Sequence, residues 1–141
     1  MTRNELKARI WQAITDAEKL HVRILPNTFS FEPINNRVTA KGNRCCPMTA
    51  CALGQPVQQA PDGYWMIVTA IQNALGVEYA WVMAFTSGYD KPEETLEEMD
   101  ERYTAQLDAL LLGQEIRHEM DARGLVPEPT VQPKKKARKK K

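Results

Sequence analysis

Cys45, Cys46 and Cys51 are three thiols within seven residues, and side chains of that type at that spacing have two chemistries open to them. The first is nucleophilic or redox chemistry through a thiolate. Cys46 precedes Pro47, a residue suited to the first position of a helix because its missing N–H is not needed there. The dipole of a helix lowers the pKa of a thiol at its N-terminus, and Arg44 would add to the effect. Cys46 is therefore the cysteine expected to react if any does. The second chemistry is metal binding, with His21 or His118 as the fourth ligand. Spacing counts against it: there is no C-x2-C pair, adjacent cysteines chelate one ion poorly, and both histidines are distant in sequence. A third reading involves no chemistry, with Cys51 a small core residue on a short apolar helix. An odd number of crowded cysteines is not a disulfide framework and points to a reducing, intracellular compartment.

Other constellations are thinner. His21 falls on an apolar helix stripe, where histidine more often packs than catalyses. His118 sits between Arg117 and Glu119 on a charged helix. Glu115 and Glu119 are i,i+4 neighbours of a kind common on helix surfaces. Ser30 and Ser87 have no motif around them, and the seven glycines are scattered rather than gathered into a phosphate-cradling loop. The sequence thus predicts no cofactor, no catalytic residue and no enzymatic activity.

The stronger chemical signal is electrostatic. Seven of the 19 lysines and arginines (Lys134, Lys135, Lys136, Arg138, Lys139, Lys140 and Lys141) lie in the last nine residues. Residues 1–133 hold the other 12 cations against all 18 acids, a net charge of −6 beside a string of +7. Blocks of like charge repel, stay disordered and commonly act as interaction tails. A lysine-rich string binds polyanions by counterion release; with all seven cations on phosphates, log K against log salt would have a slope of roughly −6 on duplex DNA. Lysine predominates and no aromatics are interleaved, so the expected mode is diffuse attraction to nucleic acid, not base reading. In a eukaryotic cell the same string would serve as a nuclear-import signal.

An alternative keeps the charge within the protein. Glu93, Glu94, Glu97, Glu98, Asp100 and Glu101 gather six acids at one expected helix end. A flexible link of about ten residues reaches on the order of 18 Å, so pairing of tail and acidic helix within or between subunits is feasible. The protein would then be an interaction or regulatory domain.

These residues must be positioned by a body of ordinary size. With 141 residues, 43% of them hydrophobic, the chain suits one domain, expected at 1–126, with a Pro/Lys-rich tail at 127–141. Leu6, Ile10, Ala13, Ile14 and Ala17 predict an amphipathic helix over 3–21. Residues 26–44 carry turn signals, with a short hairpin around Asn35-Asn36 and with Phe29, Phe31 and Ile34 holding the loop to the body. Pro47 to Leu53 predicts a short helix, and Tyr64 to Leu75 another, ended by Gly76. The apolar run 79–85 reads as a buried helix, or as a strand, followed by a turn at 87–92. Residues 93–123 predict the longest helix, its stripe formed by Leu96, Met99, Tyr103, Leu107, Leu110, Leu111, Ile116 and Met120, with a kink or break at Gly113. No segment is long and apolar enough to span a membrane, and the charged N-terminus lacks a signal-peptide pattern. The expectation is an all-α protein: a small single-domain bundle of four to five helices with a long C-terminal helix and a disordered basic tail, intracellular and cytoplasmic.

Overall fold

The computed structural model describes residues 1–95, 97–98 and 105–124. The expected tail 127–141, and the stripe positions Leu96, Met99 and Tyr103, lie outside them.

Helix α1 spans Arg3–Lys19 and starts at a capping box: Thr2 accepts from the Glu5 amide, and Glu5 accepts from the Thr2 amide. Leu6, Ile10, Ala13, Ile14 and Ala17 form its buried stripe, as their spacing predicts. The helix ends two residues short of the expected His21. That residue takes a left-handed φ of 63° in the following turn and is exposed, so it is not part of the apolar stripe.

The segment 20–45 builds two small two-stranded sheets. Strand β1 (Arg23–Ile24) pairs in parallel with β4 (Arg44–Cys45), with Arg23 opposite Arg44 and Ile24 opposite Cys45. The crossover between them contains the antiparallel hairpin of β2 (Glu32–Ile34) and β3 (Arg37–Thr39). The hairpin turns at Asn35 and Asn36, whose φ values of 53° and 63° are both positive, as a two-residue type I′ turn requires. Phe29 and Phe31 pack against the core, but Ile34 is half exposed.

Helix α2 (Pro47–Ala52) has Cys46 as N-cap, and all six of its residues are buried. Helix α3 (Gly63–Leu75) starts at Asp62, whose carboxylate accepts from the Trp65 amide, and stops at Gly76 in the left-handed region. Helix α4 (Tyr79–Asp90) runs through the segment 87–90 that the sequence marks as a turn. Helix α5 (Leu107–Ala122) replaces the single helix expected from 93 to 123; Glu93, Glu97 and Glu98 belong to turns before it. The protein is therefore helix-rich, with five α-helices and two small sheets among the described residues, and not all-α.

Helices α4 and α5 make the most extensive helix contact, and glycine at both positions of their crossing is the reason. A Cβ on Gly88 would lie 2.1 Å from the Leu110 carbonyl oxygen, and one on Gly113 would lie 2.2 Å from that of Phe85. Gly113 thus neither kinks nor breaks α5; it lets two backbones touch. The buried face of α5 is Ala109, Leu112, Gly113, Ile116 and Met120 together with Leu110, while Leu107 and Leu111 face outward.

Helix α5 reaches α1 mainly through charge. Glu115 accepts from Arg3 at 2.6 Å and from Lys7, and Lys7 also pairs with Glu119 at 2.7 Å. Glu119 in turn accepts from the Trp11 indole at 2.9 Å, and Arg123 stacks over that ring at 4.7 Å while approaching Glu18 at 3.8 Å.

Candidate functional site

The three cysteines are reduced and buried. Strand alternation turns Cys45 inward and Arg44 outward, so Arg44 does not assist a thiolate. The Cys46 amide donates to Thr28 at 2.7 Å, and its carbonyl accepts from Ala50 at 3.0 Å, fixing the start of α2 against the loop after β1. Cys46 Sγ lies 3.6 Å from Thr49 Oγ1. Burial raises its pKa, and the hydrogen bonds from Thr49 and Met48 offset only part of that rise. Burial also raises Cys45, and it pushes Cys51 up to about 12 despite the nearby Arg9 charge. The lowered thiol expected at Cys46 is therefore corrected. The dipole of a six-residue helix is outweighed by the cost of charging sulfur out of contact with water.

The metal reading fares no better. Among the described residues no three His, Cys, Asp or Glu side chains are placed to hold an ion. His21 is in the turn after α1, and His118 is on the outer face of α5 with Nε2 3.5 Å from Glu93. Neither joins the thiols. Cys45, Cys46 and Cys51 serve as small packing residues where α1, α2 and β4 meet.

Next to this cluster, Tyr89 is buried with its hydroxyl unpartnered among the described residues. The Arg117 guanidinium sits 5.6 Å from the ring centre and donates to the Tyr89 carbonyl at 2.8 Å. Burial raises the Asp90 carboxyl, although its Oδ1 accepts from the Asn27 amide at 2.9 Å. This arrangement ties α4, α5 and the Asn27 turn together.

Two surface features escaped the sequence reading. An aromatic cluster forms where α3 and α4 begin. The Tyr64 and Tyr79 hydroxyls are 2.7 Å apart, and the Trp65 and Tyr79 rings are 4.9 Å apart, all three residues being more than a third exposed. Trp65 sits in the first turn of α3, where half the helix surface faces outward. The second feature is a groove of about 880 Å³ between α1, the β2–β3 hairpin and α2. Its floor is small and apolar (Ala13, Ala17, Cys51), and Arg9 and Arg37 lie along it with Asp16 and Glu32. Neither is signalled by periodicity, because each joins residues from separate elements.

The seven cations of 134–141 lie outside the described residues, as do Asp100 and Glu101. Glu93, Glu97 and Glu98 are exposed, and the Glu98 carboxylate accepts from the Thr95 amide at 2.8 Å. No helix among the described residues is long and apolar enough to cross a membrane. The chain matches no family model, no curated protein and no solved structure.

Proposed function

We propose that the protein is a non-enzymatic binding module that associates with nucleic acid, without sequence preference, through the cations of 134–141. The single observation carrying this reading is the charge partition: a body of net −6 over residues 1–133 followed by +7 in the last nine. A concentrated cationic string attracts phosphate by releasing condensed counterions, and lysine makes that attraction geometry-tolerant. The body, 1–126, supplies a compact carrier, and the segment 127–141 supplies the contact. The burial of the three thiols, which raises their pKa values, favours this reading over thiol chemistry.

Electrophoretic mobility of DNA and RNA with the full chain and with a 1–133 truncation tests it. A shift at low salt that the truncation loses supports the proposal. No shift, or an equal shift from both proteins, removes it. The alternative, in which the string pairs with the exposed acids around Glu93 and Glu97, predicts a string-dependent oligomer in sedimentation that salt dissolves.

A further inference from the structure

The body itself is electrically divided. Residues 1–60 carry eight cations and four acids, whereas residues 61–124 carry four cations and 13 acids. The structure sharpens this division through pairing. Arg3, Lys7, Arg117 and Arg123 each face a carboxylate within 4 Å, at or beside the contact with α5. By contrast, Arg9, Arg23, Arg37, Lys41 and Arg44 make no ion pair among the described residues. They gather at the opposite side of α1.

The gathering follows from the fold. The parallel register of β1 and β4 sets Arg23 directly beside Arg44, and alternation points both outward. Lys41 opens the short 3-10 turn (Lys41–Asn43) leading into β4, and a Cβ on its Gly42 would be 3.9 Å from Arg44 Nε. Gly42 and Asn43 line the groove that holds Arg9 and Arg37. Like charges side by side on adjacent strands are destabilising unless an opposite charge compensates them, and no carboxylate of the described body does so.

We infer that this face is a second contact surface for the phosphate backbone of nucleic acid, centred on the rim formed by Arg23, Lys41 and Arg44. The inference rests on the reading under Proposed function. Asp16 and Glu32 within the groove keep phosphate on the rim. No aromatic ring lines the groove, so bases do not stack there. Arginine forks suit phosphate oxygens. A long polyanion held by the string at 134–141 meets the rim at a raised effective concentration, so two weak contacts act as one stronger one.

The test uses full-length protein in three forms: wild type, Arg23→Gln/Lys41→Gln/Arg44→Gln, and a variant with all seven cations of 134–141 changed to Gln. The affinity of each for a short fluorescein-labelled DNA duplex of mixed sequence is measured across salt concentrations, with thermal melting as the folding control. The rim substitutions are on exposed side chains and relieve the repulsion between Arg23 and Arg44, so melting should be unchanged or slightly raised, not lowered. The expected result is a rim variant whose salt slope is shallower by about 2.7, the value for three lost phosphate contacts. The seven-Gln variant should retain weak, salt-sensitive binding. A rim variant with the wild-type slope, or a seven-Gln variant with no residual binding, overturns the inference while leaving the proposed function standing. Failure of wild type to bind removes the proposed function itself. Displacement of the duplex by polyglutamate as effective as by unlabelled duplex of equal charge would reassign the face to acidic protein.

Discussion

Cys46 shows how one side chain can carry a functional signal that its surroundings cancel. Its position before Pro47 is that of a helix N-cap, as the sequence indicates, but the thiol is only 3% exposed and its pKa is raised by burial. The dipole argument assumed a sulfur in water. The prediction is that all three cysteines of the native protein react with a thiol reagent at pH 8 on the order of a hundredfold more slowly than in denaturant, since thiolate fraction and access both fall. Timed labelling with mass detection checks this. One cysteine labelling at the denatured rate would restore the thiol reading.

At the scale of elements, the glycines of the α4–α5 crossing carry the sharpest prediction. Replacing a mid-helix glycine with alanine ordinarily gains up to about 1 kcal/mol of stability. Here the added methyl would meet a carbonyl oxygen at 2.1–2.2 Å, with backbone on both sides. Gly88→Ala and Gly113→Ala should each cost about 3 kcal/mol or more, as overpacking of a rigid contact does. Denaturant unfolding of each variant measures this, and a stabilised Gly113→Ala would contradict the crossing.

The contact between α1 and α5 gives a second test at this scale. Hydrogen bonds from Lys7 and Arg3 hold the Glu115 carboxyl below its usual value of 4.5, and the same pairing raises Lys7 above 10.5. A lowered carboxyl contributes stability that is present above its unfolded pKa and lost as pH falls through the folded one. A raised lysine contributes stability that is present below its unfolded pKa and lost as pH rises through the folded one. Lys7→Met should therefore be less stable than wild type in the intervening range, by about 1 kcal/mol or less given the exposure of the pair. The difference should shrink below pH 4.5 and above pH 10.5. Thermal melting across pH reads it out.

These elements also show what the sequence made legible. Periodicity located α1 and α3, Pro47 and Gly76 marked real helix ends, and Asn35-Asn36 marked a real turn. Local chemistry decides such features. The failures have one cause. Gly88 and Gly113 look alike as local breakers, yet each is fixed by a neighbour more than 20 residues away. Likewise, a two-residue parallel pair such as β1–β4 has too little pattern to be seen before its partner is known. The groove and the cations around it were invisible for the same reason: Arg9, Arg23, Arg37 and Arg44 stand on four separate elements and come together only when α1, β1, β3 and β4 meet.

For the whole molecule, the governing quantity is charge placed by fold and by sequence. Acid dominates residues 61–124, unpaired cations gather around β1 and β4, and seven more occupy 134–141. The account predicts that the densest of these blocks is the principal contact. The most direct test is the salt dependence of duplex binding by the full chain, followed by fluorescence anisotropy. A slope of log K against log salt of about −6 or steeper, nearly independent of DNA sequence, is expected, because at least seven cations replace counterions. A slope near zero, or affinity unchanged when the seven cations of 134–141 become glutamine, would contradict it.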